Sequence, residues 1–561
     1  MTHGLQHRSI PGWSFGRARL TLNQDKRSRF DSYPGSHHVT HPLSSGHPRY
    51  CWPREARTGQ PAREETQLSD HLVTTPDPVQ AVVVLAAGGG TRMKSRRSKL
   101  LHEVCGRSML SYAVSAAAAL NPIHLVVVVG HQRIQVAEHL ESLNETVTTA
   151  VQDQQLGTGH AVGCGLAGLP EFDGEVVVTY GDVPLLTGET LQRLLHAHRT
   201  EGNSVTVLTA EVDDPSGYGR IIRVEGRVVG IVEDRDADER QRAIREINSG
   251  IYVFDAATLR TALGQLGTDN AQGEQYLTDV LRFAHDQGRG VGAMVIDDVW
   301  QTEGVNDRVQ LARMNEELNR RIVERWMRDG VTVVDPRTTW IDIDVDLAQD
   351  VTLLPGTILQ GATTIGVGAT IGPDTTLADV EVGVDAEVIR SHASLSIIGD
   401  GATVGPFSYL RPGTQLAGNS KVGAFVETKN TILGEGSKVP HLSYVGDAVI
   451  DEGSNIGAGT IFANYDGVNK STTHIGKASF IGSNSVLVAP VDIADGSFVA
   501  AGSTVTDDVP AGDLAVARGR QHNVAGWVAK RRPGSKAARA AEENDGTVHP
   551  AVTESRAKQK G

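Results

Sequence analysis

A glycine-rich turn followed by two cations is the first part of the chain whose residues could do chemistry. Gly88, Gly89 and Gly90 come after an apolar run, and Arg92 and Lys99 follow shortly. Glycine allows backbone N–H groups to approach an anion closely, and the two cations add positive charge. The spacing matches neither the phosphate loop of ATPases nor a dinucleotide-binding turn. The motif indicates a phosphate site of another class, with a plain glycine turn as the alternative.

Asp182 places a carboxylate at the end of a second apolar run, EVVVTYG. A carboxylate in this position suits Mg²⁺, which keeps several waters and bridges to phosphate oxygens. An Asp that follows a strand can also cap the next helix. Asp182 is therefore a candidate metal ligand whose function depends on the motifs around it.

A third group of chemically useful residues lies far along the chain. Arg411 and Lys429 carry the guanidinium and ammonium groups that pair well with phosphate oxygens. His441 is a candidate general base, the group that would accept a proton from an attacking amine. The alternative for all three is a solvated surface position.

Residues 81–307 have the pattern of the domain that would position the first two groups. Apolar runs such as VVVLA, LVVVVG and EVVVTYGD alternate with helical stretches. This βαβ pattern predicts an α/β domain with a parallel or mixed sheet of the Rossmann-like type and helices on both faces. In such sheets ligands bind at the carboxyl ends of the strands, where the loops after Val84 and Val178 fall.

Residues 308–330 and 331–526 form two further predicted regions. The first lacks Gly and Pro up to Arg328 and repeats apolar residues at helical spacing, so we expect a linker helix. The second has one aliphatic residue in every six, a period that favours a parallel β-helix. The period breaks between Phe462 and His474, where we expect a loop. The aliphatic positions are Ile341, Leu347, Leu353, Leu359, Ile365, Ile371, Leu377, Ile475, Ile481, Leu487, Ile493, Val499 and Val505.

The two terminal segments and the overall composition indicate which classes of protein are excluded. Residues 1–80 and 527–561 lack a core-forming pattern and are expected to be a disordered extension and a disordered tail. A formal net charge of -14 argues against nucleic acid as a partner, and no apolar run is long enough for a membrane helix. Cys51, Cys105 and Cys164 form no pair with disulfide or zinc spacing, which favours the cytoplasm.

The ordered motifs resemble the bifunctional bacterial uridylyltransferase–acetyltransferases that make UDP-N-acetylglucosamine. The resemblance spans nearly all of residues 81–520. One departure is Ser98, where the family usually has Pro. The matching blocks are LAAGGGTRM, KLLH, QDQQLGTGHA, TYGDVPLL, DDPSGYGRI, GIVEDRDA, EINSGIY and EGVNDR in the first half, and YLRPG, FVETKN, VPHLSYVGDA, SNIGAG and NYDGVNK in the second.

For the first half, the resemblance implies transfer of UMP from UTP to N-acetylglucosamine-1-phosphate, with release of pyrophosphate. Asp182 and Asn306 would bind Mg²⁺, and Arg92 and Lys99 would hold the triphosphate. The implied contacts to uracil are Gln152, Gly157 and Thr158, and those to the sugar are Gly219, Glu233 and Asn248. Further residues implied at the nucleotide site are Leu85, Ala86, Ala87, Gly88, Tyr180 and Gly181.

For the second half, it implies acetylation of glucosamine-1-phosphate by acetyl-coenzyme A on a left-handed β-helix. His441 would be the base, and Arg411 and Lys429 would hold the sugar phosphate. The other implied residues are Tyr444, Asn455, Asn464 and Tyr465 at the sugar and Ala458, Ser483, Ala501 and Arg518 along acetyl-coenzyme A.

Members of this family are cytoplasmic homotrimers that supply precursors for peptidoglycan and the cell envelope. The resemblance implies the same assembly, location and function for this chain. Two alternatives stay open on the sequence. The first is a nucleotidylyltransferase with one activity and a regulatory β-helix. The second is a non-catalytic scaffold with decayed sites. The charged residue retained in every motif argues against this alternative.

Overall fold

The computed structural model describes residues 78–544 and 546–558. The predicted N-terminal extension therefore lies outside the described residues, apart from residues 78–80. Among the described residues, no helix combines the length and apolar character needed to cross a bilayer.

The first part of the structure alternates strands and helices, as predicted. Its strands are β1 Ala81–Ala86, β2 Glu103–Val104, β3 Arg107–Ser108, β4 His124–Val129, β5 Thr148–Val151, β6 Glu175–Tyr180, β7 Val205–Glu211, β8 Arg220–Val224, β9 Arg227–Val232, β10 Glu246–Asp255 and β11 Val291–Ile296. Its α-helices are α1 Met109–Ala118, α2 Arg133–Glu141, α3 Thr158–Ala167, α4 Gly188–Glu201, α5 Glu239–Arg242, α6 Ala256–Leu263 and α7 Asp279–Asp286, with 3-10 turns at Thr91–Met93, Lys99–Leu101 and Val299–Thr302.

The main sheet is mixed, with the order β11-β7-β10-β6-β1-β4-β5. Strands β6, β1, β4 and β5 run parallel, whereas β10 is antiparallel to both β6 and β7. The hairpin β8–β9 joins the sheet through β10. Because β1 and β6 are parallel neighbours, the loops that follow them open at the same edge of the sheet.

Helices cover both faces of this sheet. Successive residues of a strand point to opposite faces, and in β1 they enter two separate hydrophobic clusters. Val82 belongs to the same cluster as Leu191 of α4, while Val83 belongs to the same cluster as Val162 of α3, and all four side chains are fully buried. The apolar runs in the sequence therefore become a sheet that is buried on both sides.

The predicted linker is helix α8, Arg308–Arg328. The Asp307 carboxylate caps it by accepting hydrogen bonds from the N–H groups of Val309 and Gln310, both at 2.9 Å. Met314, Leu318, Ile322 and Trp326 are buried in the same hydrophobic cluster as the following domain. This helix therefore packs firmly against the first turns of the next structure.

The second part is a parallel β-helix, as the six-residue period predicts. Each strand pairs in parallel with the equivalent strand of the next coil, so that Leu353 lies opposite both Val333 and Ile371. All thirteen predicted aliphatic positions are at most 6% exposed. The strands are β12 Thr332–Val333, β13 Trp340–Ile341, β14 Asp346–Leu347, β15 Thr352–Leu353, β16 Ile358–Gln360, β17 Thr364–Ile365, β18 Thr370–Ile371, β19 Thr376–Val382, β20 Glu387–Val388, β21 His392–Ile398, β22 Thr403–Val404, β23 Tyr409–Leu410, β24 Gln415–Leu416, β25 Lys421–Ala424, β26 Glu427–Leu433, β27 Lys438–His441, β28 Tyr444–Ile450, β29 Asn455–Ile456, β30 Ile461–Ala463, β31 Thr473–Ile475, β32 Phe480–Ile481, β33 Val486–Val488, β34 Val491–Ile493, β35 Phe498–Val499, β36 Thr504–Val505 and β37 Leu514–Ala515.

The inserted loop is shorter than the break in the period predicts. Phe462 is fully buried within β30, and His474 lies within β31. The residues between these two strands, 464–472, leave the coil. Both ends of the predicted break stay in the coil because their backbone groups pair with neighbouring strands.

The C-terminal residues contain local structure that the sequence analysis did not predict. Short helices occur at α9 Trp527–Arg531, α10 Lys536–Glu542 and α11 Pro550–Lys558. Almost all of their side chains are exposed, Ala538 being the buried exception. The Ala-, Lys- and Glu-rich composition has high intrinsic helix propensity, which accounts for helices without a core.

Candidate active sites

The glycine turn after β1 has the open backbone that an anion site requires. A Cβ atom added to Gly88 or Gly89 would meet no atom within 4 Å. Gly90 is different: its φ is +56°, and an added Cβ would lie 2.7 Å from the Cβ of Lys99. Gly90 is therefore needed both for the left-handed conformation and for the close approach of Lys99.

A cleft of about 260 Å³ opens at this turn. Ten of the residues predicted from the sequence line it together, although they come from the ends of β1 and β6 and from the segments that follow β1, β5 and β6. These ten are Leu85, Ala86, Ala87, Gly88, Lys99, Gln152, Gly157, Thr158, Tyr180 and Asp182. Gly181 lies next to them, and its N–H donates a hydrogen bond to the carbonyl oxygen of Leu85 at 2.9 Å.

Lys99, Asp182 and Asn306 meet at the floor of this site. The Nζ atom of Lys99 donates to Oδ2 of Asp182 at 2.5 Å and to Oδ1 of Asn306 at 3.3 Å. Arg92 donates to the same Oδ1 atom of Asn306 at 2.9 Å. The segment that carries Asn306 is held in place by Val305, whose N–H donates to the carbonyl oxygen of Asp182 at 2.9 Å. Two cations therefore face a carboxylate and an amide oxygen.

The loop after β5 is fixed by backbone contacts with the segment before α7. Gly157 has a φ of +110°, and an added Cβ would lie 2.6 Å from the carbonyl oxygen of Gln275. The hydroxyl of Thr158 accepts a hydrogen bond from the N–H of Leu277 at 3.0 Å. These contacts hold the start of α3 against one wall of the cleft.

A second cavity of about 280 Å³ adjoins the first through Tyr180 and Asp182. Its walls include Arg92, Asn306 and residues of the loop before β8. Near it, the N–H of Asn248 donates to the carbonyl oxygen of Gly219 at 2.8 Å. The predicted sugar residues Gly219 and Asn248 are thus in direct contact.

Glu233 and Tyr180, which lines both cavities, have shifted pKa values. Burial, together with the carboxylates of Asp236, Asp279 and Asp234, raises the pKa of Glu233. Burial and the nearby Asp182 charge raise the pKa of Tyr180. Carboxylates therefore lie close to both groups.

In the β-helix, Asp447 connects several of the predicted residues. Its Oδ1 atom accepts a hydrogen bond from Nδ2 of Asn430 at 2.9 Å and lies 3.5 Å from Nζ of Lys429. Its Oδ2 atom accepts from Nδ2 of Asn464 at 2.5 Å. Burial opposes ionisation of Asp447, but these two amides and the Lys429 charge outweigh it and hold its pKa below the ordinary value.

Arg411, Lys429 and Tyr444 lie on adjacent coils beside this carboxylate. Leu410 pairs with Thr428 and Lys429 pairs with Gly446, so Arg411 stands next to Lys429 along the row. An added Cβ at Gly446 would lie 2.4 Å from the Tyr444 hydroxyl oxygen, so Gly446 makes room for this ring. Arg411 also pairs with the Glu427 carboxylate at 2.9 Å.

His441 lies on an edge of the β-helix, where one strand ends and the chain turns to the next face. It is exposed and stands opposite Ala424 of the preceding coil. The registers of β27, β29, β32 and β35 place Ala458, Ser483 and Ala501 at the equivalent position of the following coils. Backbone hydrogen bonds link this row, since the N–H after Ala458 donates to the carbonyl oxygen of His441 at 3.2 Å. We call these four residues the edge row.

Three predicted residues are less closely associated with these groups. Asn455 lies in β29 opposite Lys438 and Phe480. Tyr465 is exposed in the inserted loop, and its hydroxyl donates to the carbonyl oxygen of Gly467 at 2.6 Å. Arg518 is exposed beyond β37, past the end of the edge row.

Comparison with known proteins agrees with both halves. A family model described as "MobA-like NTP transferase domain" matches residues 82–282, and one described as "Bacterial transferase hexapeptide (six repeats)" matches residues 472–507. A protein of Corynebacterium aurimucosum named "Bifunctional protein GlmU" is 55% identical over 466 residues, covering 82% of this chain and 96% of the relative. Proteins of the same name from Paenarthrobacter aurescens and Cutibacterium acnes are 58% and 64% identical, covering 82% and 68% of this chain and 94% and 93% of each relative.

The chain belongs to the GlmU family of bifunctional proteins. It is accordingly an enzyme of UDP-N-acetylglucosamine biosynthesis that combines a nucleotidyltransferase with an acyltransferase. The alternative of a single activity with a regulatory β-helix does not agree with this membership. The same holds for the non-catalytic scaffold.

The structure adds residues that the sequence analysis did not single out. Gln155 and Glu274 line the first cleft, and the side chain of Gln155 donates to the carbonyl oxygen of Ala87 at 3.0 Å. Lys470 lies beside Lys429, whose proximity lowers the pKa of Lys470. Gln155 and Lys470 lie within motifs that already indicated the GlmU family, so their position was a usable signal. Glu274 has no such signal because only the fold brings it to the cleft.

Proposed function

We propose that each half of this GlmU-family chain performs its reaction at the site described above. The β-helix site acetylates glucosamine-1-phosphate with acetyl-coenzyme A, and the cleft after β1 and β6 transfers UMP from UTP to N-acetylglucosamine-1-phosphate. The observation that carries the proposal is the presence of two separate cation groups suited to phosphate. One contains Arg92 and Lys99, and the other contains Arg411 and Lys429.

In the first site, the glycine turn and the two cations would hold the triphosphate. A phosphate oxygen of the sugar phosphate attacks the α-phosphorus of UTP, the bond from that phosphorus to the bridging oxygen breaks, and pyrophosphate leaves. Gln152, Gly157 and Thr158 would bind uracil at one end of the cleft. Gly219, Glu233 and Asn248 would bind the sugar near the second cavity, and Tyr180 adjoins both cavities.

The oxygen atoms of Asp182 and Asn306 fit a Mg²⁺ ion. Both lie within hydrogen-bond distance of a single cation, the Lys99 ammonium, so they already converge on one positive charge. Mg²⁺ prefers such oxygen ligands, takes few from the protein and completes its coordination with water and phosphate. Among the described residues, no cluster of three or more His, Cys, Asp or Glu side chains could form an all-protein cage. The ion would supply neutralisation of charge on the phosphates.

In the second site, Arg411, Lys429 and the adjacent Lys470 would hold the phosphate of glucosamine-1-phosphate. The amine attacks the thioester carbonyl and forms an amide bond, the carbon–sulfur bond breaks, and coenzyme A leaves as the thiolate. His441 would accept the proton that the amine loses. The exposed imidazole begins the edge row, and an extended cofactor would lie along the small side chains of Ala458, Ser483 and Ala501 in that row.

We further propose a homotrimer. Phe407, Phe425 and Leu442 form an apolar ridge on the edge that carries His441, and they are 55%, 59% and 62% exposed. The rings of Phe407 and Phe425 stack with centroids 5.3 Å apart. Large exposed apolar patches mark association sites, and a three-sided coil offers flat faces for a threefold axis. We place the enzyme in the cytoplasm, as its widely spaced cysteines favour.

One assay tests the assignment of the two sites. The chain is incubated with glucosamine-1-phosphate, acetyl-coenzyme A, UTP and Mg²⁺, and free thiol and pyrophosphate are measured together. Wild type should release both products, whereas Asp182→Ala should lose pyrophosphate release and keep thiol release. Asp173→Ala, an exposed carboxylate of the same domain, is the control and should keep both. Loss of both products in a folded Asp182→Ala protein would contradict the two-site assignment.

A further inference from the structure

The side-chain amide of Gln152 is held in one orientation at the wall of the nucleotide cleft. Its side chain lines the cleft although the residue is only 5% exposed. Its Nε2 atom donates to the carbonyl oxygen of Gly157 at 3.1 Å and lies 3.1 Å from Nδ1 of His160. A backbone carbonyl can only accept hydrogen bonds, so the amide nitrogen, and not its oxygen, must face Gly157.

The second contact defines the state of His160. Because the amide nitrogen of Gln152 can only donate, Nδ1 of His160 must accept, and the proton of the neutral ring is on Nε2. That Nε2 atom lies 3.8 Å from Sγ of Cys164, one turn further along α3. The start of α3 is itself anchored, since the N–H of Gly159 donates to the carbonyl oxygen of Gln275 at 2.8 Å. The imidazole is therefore a fixed acceptor.

These two acceptors leave the other end of the amide for a ligand. Both hydrogens on Nε2 of Gln152 are engaged, and no donor among the described residues reaches its Oε1 atom. Among the described residues, that oxygen is not one of the fully buried polar atoms that lack a partner, so it is accessible to a ligand. The cleft thus presents a hydrogen-bond acceptor whose direction His160 and Gly157 determine.

An acceptor in this place distinguishes pyrimidine bases by chemistry. Uracil carries a hydrogen on N3 and can donate to the oxygen of Gln152, whereas N3 of cytosine is itself an acceptor. Two acceptors facing each other remain unpaired in a partly desolvated site, and a site built around a hydrogen bond rejects analogues that cannot form it.

We propose that His160 is a positioning residue for base selection. It holds the Gln152 amide with its oxygen toward the base and so makes the site choose a nucleoside triphosphate with an N3–H group over one without it. The inference rests on the proposed binding of UTP in this cleft. It assigns to His160 a function in specificity without contact to the reacting atoms.

The test compares UTP with CTP as the nucleotide substrate at saturating N-acetylglucosamine-1-phosphate and Mg²⁺. In His160→Leu, the ring is replaced by a side chain without an acceptor, so the amide keeps only its contact with Gly157 and is held less firmly in the orientation that selects the base. We expect the ratio of kcat/KM for UTP over that for CTP to fall about tenfold or more, mainly through KM. His160→Asn, whose Oδ1 can accept in the place of Nδ1, should keep the ratio within about threefold of wild type.

Two controls separate this function from a structural one. Cys164→Ala removes the neighbour of Nε2 without changing Nδ1 and should leave the ratio unchanged. Urea unfolding, measured on each preparation, reports folding, and His160→Ala replaces His160→Leu if that variant does not fold. A folded variant without the acceptor that keeps the wild-type ratio overturns the proposal, as does an equal loss in His160→Asn. A wild type that uses no nucleoside triphosphate instead overturns the proposed function itself.

Discussion

Asp447 and His441 differ in burial and in proposed function at the β-helix site. Asp447 is 9% exposed and contacts the side chains of Lys429 and Asn430 from one neighbouring coil and of Asn464 from another. In the proposed function, it would position the side of the site that binds phosphate. His441 is exposed on the edge row, where it can meet an amine and a thioester.

We predict that Asp447→Asn raises KM for glucosamine-1-phosphate about tenfold, with a smaller change in kcat. The amide keeps one acceptor oxygen but places a donor toward Asn430 or Asn464, and it removes the charge that faces Lys429. The same change should lower the free energy of unfolding by about 1–3 kcal/mol, measured by denaturant titration. Asp507→Asn, an exposed carboxylate of the same domain, should change neither value. An unchanged KM in Asp447→Asn would argue against the positioning function.

His441→Ala should lower acetyl transfer by about 10²- to 10⁴-fold while leaving uridylyl transfer unchanged. Part of the lost rate should return at higher pH, because solvent can then take the proton that the amine loses. A histidine that only supports the fold would not show this recovery. His392→Ala changes an exposed histidine that packs edge-to-face against Tyr409; it is the matched control and should keep the wild-type rate. Thiol release as a function of pH checks the prediction.

At the scale of elements, one short segment both carries Lys99 and contacts helix α8 and the start of the β-helix region. The 3-10 turn Lys99–Leu101 runs directly into the hairpin β2–β3. In that hairpin, the N–H of Cys105 donates to Oδ1 of Asn315 in α8 at 2.9 Å, and the carbonyl oxygen of Cys105 accepts from the N–H of Ile343 at 3.0 Å. Burial and the nearby Asp342 raise the pKa of the Cys105 thiol to about 12, so it stays protonated and inert at neutral pH.

The coils of the β-helix depend on the aliphatic residues that fill their centre. We predict that Leu359→Ala lowers the free energy of unfolding by about 2–5 kcal/mol, since Leu359 is fully buried and its removal leaves a cavity between coils. Val367→Ala, which changes a side chain that is 47% exposed, should stay within about 0.5 kcal/mol of wild type. Thermal or urea unfolding of the two variants measures the difference. Equal stability of both would contradict a core in which every coil contributes.

For the whole molecule, we predict that assembly and acetyl transfer are linked. The apolar ridge of Phe407, Phe425 and Leu442 lies beside His441, so a neighbouring copy that covers the ridge would also border the acetyl site. Sedimentation at micromolar concentration should give a species of three chains. Phe425→Asp should weaken that species and reduce thiol release in parallel, whereas uridylyl transfer should persist. A monomer with full acetyl transfer would contradict the link.

The sequence by itself determined the elements and most of the chemistry. A glycine turn, a six-residue aliphatic period and an apolar run are local patterns, because backbone freedom and burial act on each residue and its near neighbours. These patterns predicted a parallel or mixed sheet, the linker helix and the β-helix, and the motifs identified Lys99, Asp182 and His441 as candidates.

Only the tertiary structure decided which of these groups meet. Lys99 and Asn306 are 207 residues apart in the chain, yet they share a hydrogen bond. They meet because β1 and β6 end at the same edge of the sheet and the segment before α8 lies at that edge. The hydrogen bonds of Asp447 depend on packing between coils, and the contact between His160 and Gln152 depends on packing between a helix and a loop. Spacing along the chain does not encode such distances, since they arise only when the fold brings remote segments together.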